Sequence, residues 1–202
     1  MIALSTKQLR MFLLAGVAIA VVGAFTGLAG AVASHFVSLP ATDSVGRELY
    51  PAVPRGWAIR ALVQTISVSG VFMILGGISL AFLYRRPLTW ARAAIGAFVF
   101  TSVMMLLFGV IPNQLLTIAQ ADLDWSSQKT LFTVPRILAL NNDISISYAV
   151  LKEVIVAGLT GNLLIAVPVA MSKWQTYEKK RRETGPVTPI SAFGRPMVKQ
   201  EK

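Results

Sequence analysis

Four long apolar runs divide this chain. They cover residues 11–34, 57–84, 89–111 and 147–173, and each is bounded by charged, aromatic or proline residues. An α-helix needs about 20 apolar residues to cross a hydrocarbon core of ~30 Å. The runs are apolar all round, without the single stripe of a helix that rests on a soluble core. They predict an all-α integral membrane protein with four transmembrane helices over residues 11–175. A short polar N-terminus precedes them at residues 1–10, and a basic tail follows at residues 176–202.

The first run has a basic start and a small-residue end, as a signal peptide does. Its apolar length exceeds the roughly 7–15 residues of a signal core, which favours a retained helix. Gly16, Ala20, Gly23, Gly27 and Ala31 recur at spacings of three and four, forming a flat ridge. Small residues let helix backbones approach in lipid, so a second helix should cover that ridge, from this chain or from another subunit. Trp57 and Tyr84 bracket the second run like an aromatic belt, and Arg60 is placed to snorkel to the headgroups. In the fourth run, Asn162 should hydrogen-bond a neighbouring helix, and Pro168 should kink the last turns unless its neighbours compensate.

Two longer polar segments separate the runs. Pro40, Pro51 and Pro54 exclude a long helix from residues 35–56. The segment 112–146 opens with Pro112 and then places Leu115, Leu116, Ala119 and Leu123 on one helical face. Its polar residues lie mostly elsewhere, and Trp125 ends the pattern. This is the signature of a short interfacial helix lying in the membrane plane, anchored by an indole. Asn141, Asn142 and Asp143 mark a turn.

Charge orients the frame. Residues 1–10, the turn at 85–92 and the C-terminal region hold thirteen Lys/Arg and three Asp/Glu, whereas the two long loops and adjoining helix ends hold six of each. The whole net charge of +10 therefore falls on one side. The positive-inside rule puts both termini in the cytoplasm and both long loops outside, across a bacterial cytoplasmic (inner) membrane. With 54% hydrophobic and 14% charged residues, the basic balance does not indicate nucleic acid. Anionic lipid or a cytoplasmic protein suits the tail better.

Candidate chemistry is sparse. The chain has no cysteine and one histidine, which excludes thiolate ligands, a bis-histidine haem and a His-rich metal site contributed by this chain. There is no phosphate-binding glycine loop and no zinc-protease or serine-hydrolase motif. No acidic residue falls at mid-membrane. The polar set on the outer side is His35, Asp122, Asp124, Lys152 and Glu153. Of these, His35, Asp122, Asp124 and Glu153 are the candidates for lining a quinone headgroup.

These features indicate a non-catalytic subunit of a larger bacterial membrane complex, an electron-transfer or respiratory one. It binds no cofactor alone, and its partners are other membrane subunits and lipids. Its external loop and tail would serve assembly and docking. One alternative is an anchor contributing to a quinone site, with quinone or lipid at a shared interface. Another is a small transporter or channel, which would need Gln64, Ser67, Ser69, Thr101, Ser102, Thr160 and Asn162 to line one path.

Overall fold

The computed structural model describes residues 5–86, 89–138 and 140–183. The protein is mostly helical. Among the described residues, four helices are long and apolar enough to cross a membrane: Thr6–Ser38, Trp57–Leu83, Trp90–Ala121 and Tyr148–Tyr177. These agree with the four predicted runs and mark a multi-pass membrane protein. The elements in order are α1 (Thr6–Ser38), α2 (Trp57–Ile78), α3 (Trp90–Met105), α4 (Ile111–Ala121), β1 (Thr130–Thr133), β2 (Ser145–Ser147) and α5 (Tyr148–Glu183). Two compact units divide the chain, one being Ser5–Leu163 and the other containing α5 from Leu164 onward. In the second, Leu164, Ile165, Val169 and Met171 are exposed and the helix runs through Pro168 uninterrupted. Most of the predicted basic tail, from residue 184, lies outside the described residues.

The core of the first unit is the seam between α1 and α2. Gly16, Gly23, Gly30 and Val37 are the buried residues of α1, spaced by seven; on α2, Val63, Gly70 and Gly77 repeat the same interval. A seven-residue repeat keeps small residues on the contact line of two helices in a left-handed crossing. The approach is backbone to backbone. A methyl group on Gly16 would stand 2.6 Å from the Gly77 carbonyl oxygen, and one on Gly23 would stand 2.7 Å from that of Gly70. The Ser67 hydroxyl donates across the seam to the Gly27 carbonyl at 3.3 Å. The ridge is therefore covered from within the chain. The packed line differs from the predicted one: it includes Gly30, whereas Ala31 is exposed.

Capping and aromatic contacts hold the hairpin ends. Ser5 and Gln8 form a reciprocal capping box at the start of α1. At the same end Phe12 meets Tyr84 edge-on at 5.1 Å, and Arg86 donates to the Leu9 carbonyl at 3.3 Å. At the other end, the Arg55 guanidinium donates to the carbonyls of Leu39 and Leu49, folding the connection back on itself.

The structure departs from the sequence reading at several points, beginning with α1, which runs over Thr6–Ser38 and not 11–34. The third span does not end at residue 111. Pro112 has no N–H to extend the helical ladder, but a π-helical turn at Leu106–Val110 precedes it, with the Ile111 N–H donating to the Leu106 carbonyl. The widened turn accommodates the proline, and α4 continues directly from α3. The combined helix of 32 residues is ~48 Å long at 1.5 Å per residue, well beyond a hydrocarbon core. The fourth helix also runs further than residue 173, to Glu183. Finally, Thr130–Thr133 and Ser145–Ser147, for which the sequence reading named no strands, form a β-hairpin. Thr133 pairs antiparallel with Ser145, and Phe132 with Ile146. The alternating Thr-Leu-Phe-Thr and Ser-Ile-Ser segments suit a half-exposed ribbon.

The two neighbouring glycines of α2 separate seam packing from helix propensity. A side chain on Gly77 would strike the α1 backbone, with Gly16 O only 2.5 Å from its Cβ, whereas a Cβ on Gly76 meets nothing within 4 Å. Gly77→Leu is expected to cost roughly 1–3 kcal/mol or more through overpacking, and Gly76→Leu close to nothing. Unfolding midpoints of the two variants in detergent check this difference.

Candidate functional site

The polar chemistry of the first unit gathers where α2 begins and α4 ends. The long third helix carries Asp122 to the first turn of α2, and its carboxylate Oδ2 lies 3.2 Å from the Arg60 guanidinium. The two side chains are 13% and 23% exposed, so the pair is largely withdrawn from water. Arg60 thus turns to Asp122 and not outward to headgroups. The contact is an ion pair without hydrogen-bond alignment at Oδ2. One turn further along α2, Gln64 Oε1 is buried without a hydrogen-bond partner, as is Arg60 Nε. Such a cluster fixes the register of the two helices, because separating them would leave a charge uncompensated in an apolar setting.

Beyond Asp122 the chain turns sharply. Asp124 adopts a left-handed conformation with φ of 51°, which Asp tolerates better than most residues. The turn is closed by the Trp125 N–H donating to the Ala119 carbonyl at 2.9 Å. The indole then lies 5.9 Å from the Tyr148 ring, and the Lys129 ammonium sits 5.3 Å from the centre of that same ring. Beside this stack is a cavity of about 310 Å³, lined by Gln120, Trp125, Ser126, Ser127, Ala149 and Lys152. Lys152 is only 8% exposed.

The β-hairpin projects a third feature. Arg136 holds Asp143 through two parallel bonds, Nε to Oδ1 at 2.8 Å and an outer nitrogen to Oδ2 at 3.0 Å. This bidentate fork spans the base of the hairpin tip. Leu140 and Asn141 turn the chain with φ of 51° and 64°, and the Asn141 N–H donates to the Arg136 carbonyl at 2.8 Å. The tip carries Ile137, Leu138 and Leu140 at 87%, 75% and 89% exposure.

The sequence-predicted residues are distributed unevenly over these features. Asp122 joins the Arg60 cluster. His35 is exposed on the last turn of α1, its ring edge-on to Phe36 at 5.8 Å. Asp124 and Glu153 are exposed and, among the described residues, neither makes an ion pair or side-chain hydrogen bond. The four quinone candidates are thus not joined to one another by any such contact. Of the predicted apolar face, Ala119 is buried, Leu116 half-buried and Leu115 exposed on α4, and Leu123 is half-buried just past its end; Trp125 is half-buried against Tyr148. The Asn162 amide donates to the Gly158 carbonyl of its own helix at 2.9 Å, instead of reaching a neighbour. The sequence reading missed the Arg60–Asp122 pair, the burial of Lys152 and the Arg136–Asp143 fork. A signal for the first was present: opposite charges stand at the same end of two consecutive antiparallel spans.

Comparison with protein-family models, with curated proteins and with solved structures gives no match to this chain.

The ion pair makes a measurable prediction. Asp122→Leu alone strands the Arg60 cation and should cost roughly 2–3 kcal/mol, somewhat below the 3–5 of a fully buried pair. Adding Arg60→Met should recover most of that loss. A double-mutant cycle on detergent unfolding midpoints reads the coupling.

Proposed function

We propose that this chain is a non-catalytic membrane subunit that docks an extramembrane partner within a larger bacterial complex, an electron-transfer or respiratory assembly. The observation that carries this reading is the hairpin tip. Exposed leucines on the four spans need no partner beyond lipid. Ile137, Leu138 and Leu140 lie between the spans, on a folded ribbon, bare of cover. Three aliphatic side chains held out by a bidentate ion pair suit insertion into a complementary surface, each contributing up to ~1.5–3 kcal/mol on full burial before ordering costs. The charge asymmetry supports an orientation with the hairpin outside and both termini in the cytoplasm. In that frame, the end of the long third helix stands at the outer interface and carries the docking ribbon.

Two of the groups a channel would need, Ser67 and Asn162, are engaged by the fold, which favours this reading over a channel. The Ser67 hydroxyl bonds across the helix seam, and Thr65 and Asn162 bond carbonyls one turn back in their own helices. Among the described residues, no ion pair or side-chain hydrogen bond joins His35, Asp124 or Glu153 to Asp122, which likewise favours docking over a quinone pocket.

Leu140→Asp tests the role of the tip, since this side chain makes little contact with the rest of the chain. The variant should keep its unfolding midpoint while losing about tenfold or more in partner retention during mild-detergent purification, the equivalent of ~1.4 kcal/mol. Unchanged retention by Leu140→Asp and by Ile137→Asp would contradict the proposal.

A further inference from the structure

The cavity beside Trp125 points to a second site, independent of the docking tip. Lys152 lies in the second turn of α5, with more than nine-tenths of its surface buried. Among the described residues, no carboxylate lies within ion-pair distance of it and no hydrogen bond from it is formed. Asp122, the acid withdrawn from water at this end, is taken by Arg60. Glu153, next in sequence, is exposed. Most of the Lys152 side chain is buried, but its ammonium, unlike Arg60 Nε, is not sealed from the surroundings, so it faces the cavity as an accessible cation without a counter-charge.

The cavity that Lys152 lines supplies what an anion would need. Ser126 and Ser127 bring two hydroxyls, Gln120 an amide, and Trp125 an aromatic wall, in about 310 Å³. An ammonium has three donors and no acceptor, and serine hydroxyls and a glutamine amide add further donors. Charge-assisted bonds from such a set to phosphate oxygens are about twice as strong as neutral ones. The level in the membrane also fits. Lys152 is four residues into a spanning helix that starts at Tyr148, ~6 Å along its axis. Trp125 and Tyr148 beside it are the residue types that settle at headgroup depth.

We infer that Lys152, Ser126, Ser127, Gln120 and Trp125 form a binding site for a phosphate-type anion at the membrane surface, of the kind a phospholipid headgroup presents. The bound phosphate would neutralise Lys152, and its acyl chains would follow the exposed apolar face of α5 at Val154 and Ile155.

The test uses the full chain in a non-ionic maltoside detergent. An amine-reactive label is applied with and without phosphatidylglycerol or inorganic phosphate, and modification at Lys152 and at exposed Lys129 is read by peptide mass spectrometry. At lipid about ten times its Kd, labelling of Lys152 should slow about tenfold, following 1 + [L]/Kd, with Lys129 unchanged. Protection by phosphatidylglycerol alone identifies a lipid headgroup as the source; protection by inorganic phosphate as well identifies a site open to a free anion. In parallel, phosphatidylglycerol should raise the unfolding midpoint of the wild type and of Lys152→Arg, but not of Lys152→Met. Equal labelling with and without both anions would overturn the inference. So would a lipid-dependent gain in midpoint that Lys152→Met retains. Neither readout depends on the hairpin tip, so this site and the docking proposal stand or fall separately.

Discussion

Close approach of two backbones holds the first unit together. Lipid removes the hydrophobic drive that would join helices in water, so packing must come from contact itself. The glycines of α1 and α2 at seven-residue intervals supply it. They bring Gly16 onto Gly77 and Gly23 onto Gly70 at distances no side chain could tolerate. The Gly27–Ser67 bond adds direction to a contact that is otherwise dispersion alone. With α1 and α2 set in this way, α2 becomes the rail along which the third helix is aligned.

That alignment determines where the polar residues meet. The π-helical turn ahead of Pro112 keeps the third helix unbroken for 32 residues, long enough to bring Asp122 to Arg60. The ion pair then fixes the point from which the chain departs. The left-handed Asp124, the Trp125–Tyr148 contact and the β-hairpin are all built from there. A long helix thus carries a small folded ribbon beyond the spans, with a largely buried lysine and its cavity at the base and a bare aliphatic tip at the end.

The number and position of the spans were legible because hydropathy over twenty residues depends on composition, not on detail. What was not legible depended on local hydrogen bonding or on a partner distant in sequence. Pro112 reads as a stop, since nothing in Leu-Leu-Phe-Gly-Val announces a π turn. The small residues of α1 form several possible stripes, and only the matching heptad on α2 selects the one through Gly30. Arg60 near a span end reads as a snorkelling side chain until Asp122, sixty-two positions later, is brought beside it. Residues 130–147 are too short and too mixed in pattern to declare a hairpin. Lys152 reads as a surface charge because its cover comes from the turn at Trp125.

The proposed docking role is tested most directly by intact-mass measurement of whatever the chain holds when drawn from its native membrane in mild detergent. The account predicts a defined assembly in which this chain is present at fixed stoichiometry with larger subunits, and in which crosslinks from the hairpin tip reach an extramembrane one. A single species at the mass of this chain alone, with bound lipid and nothing else, would contradict it.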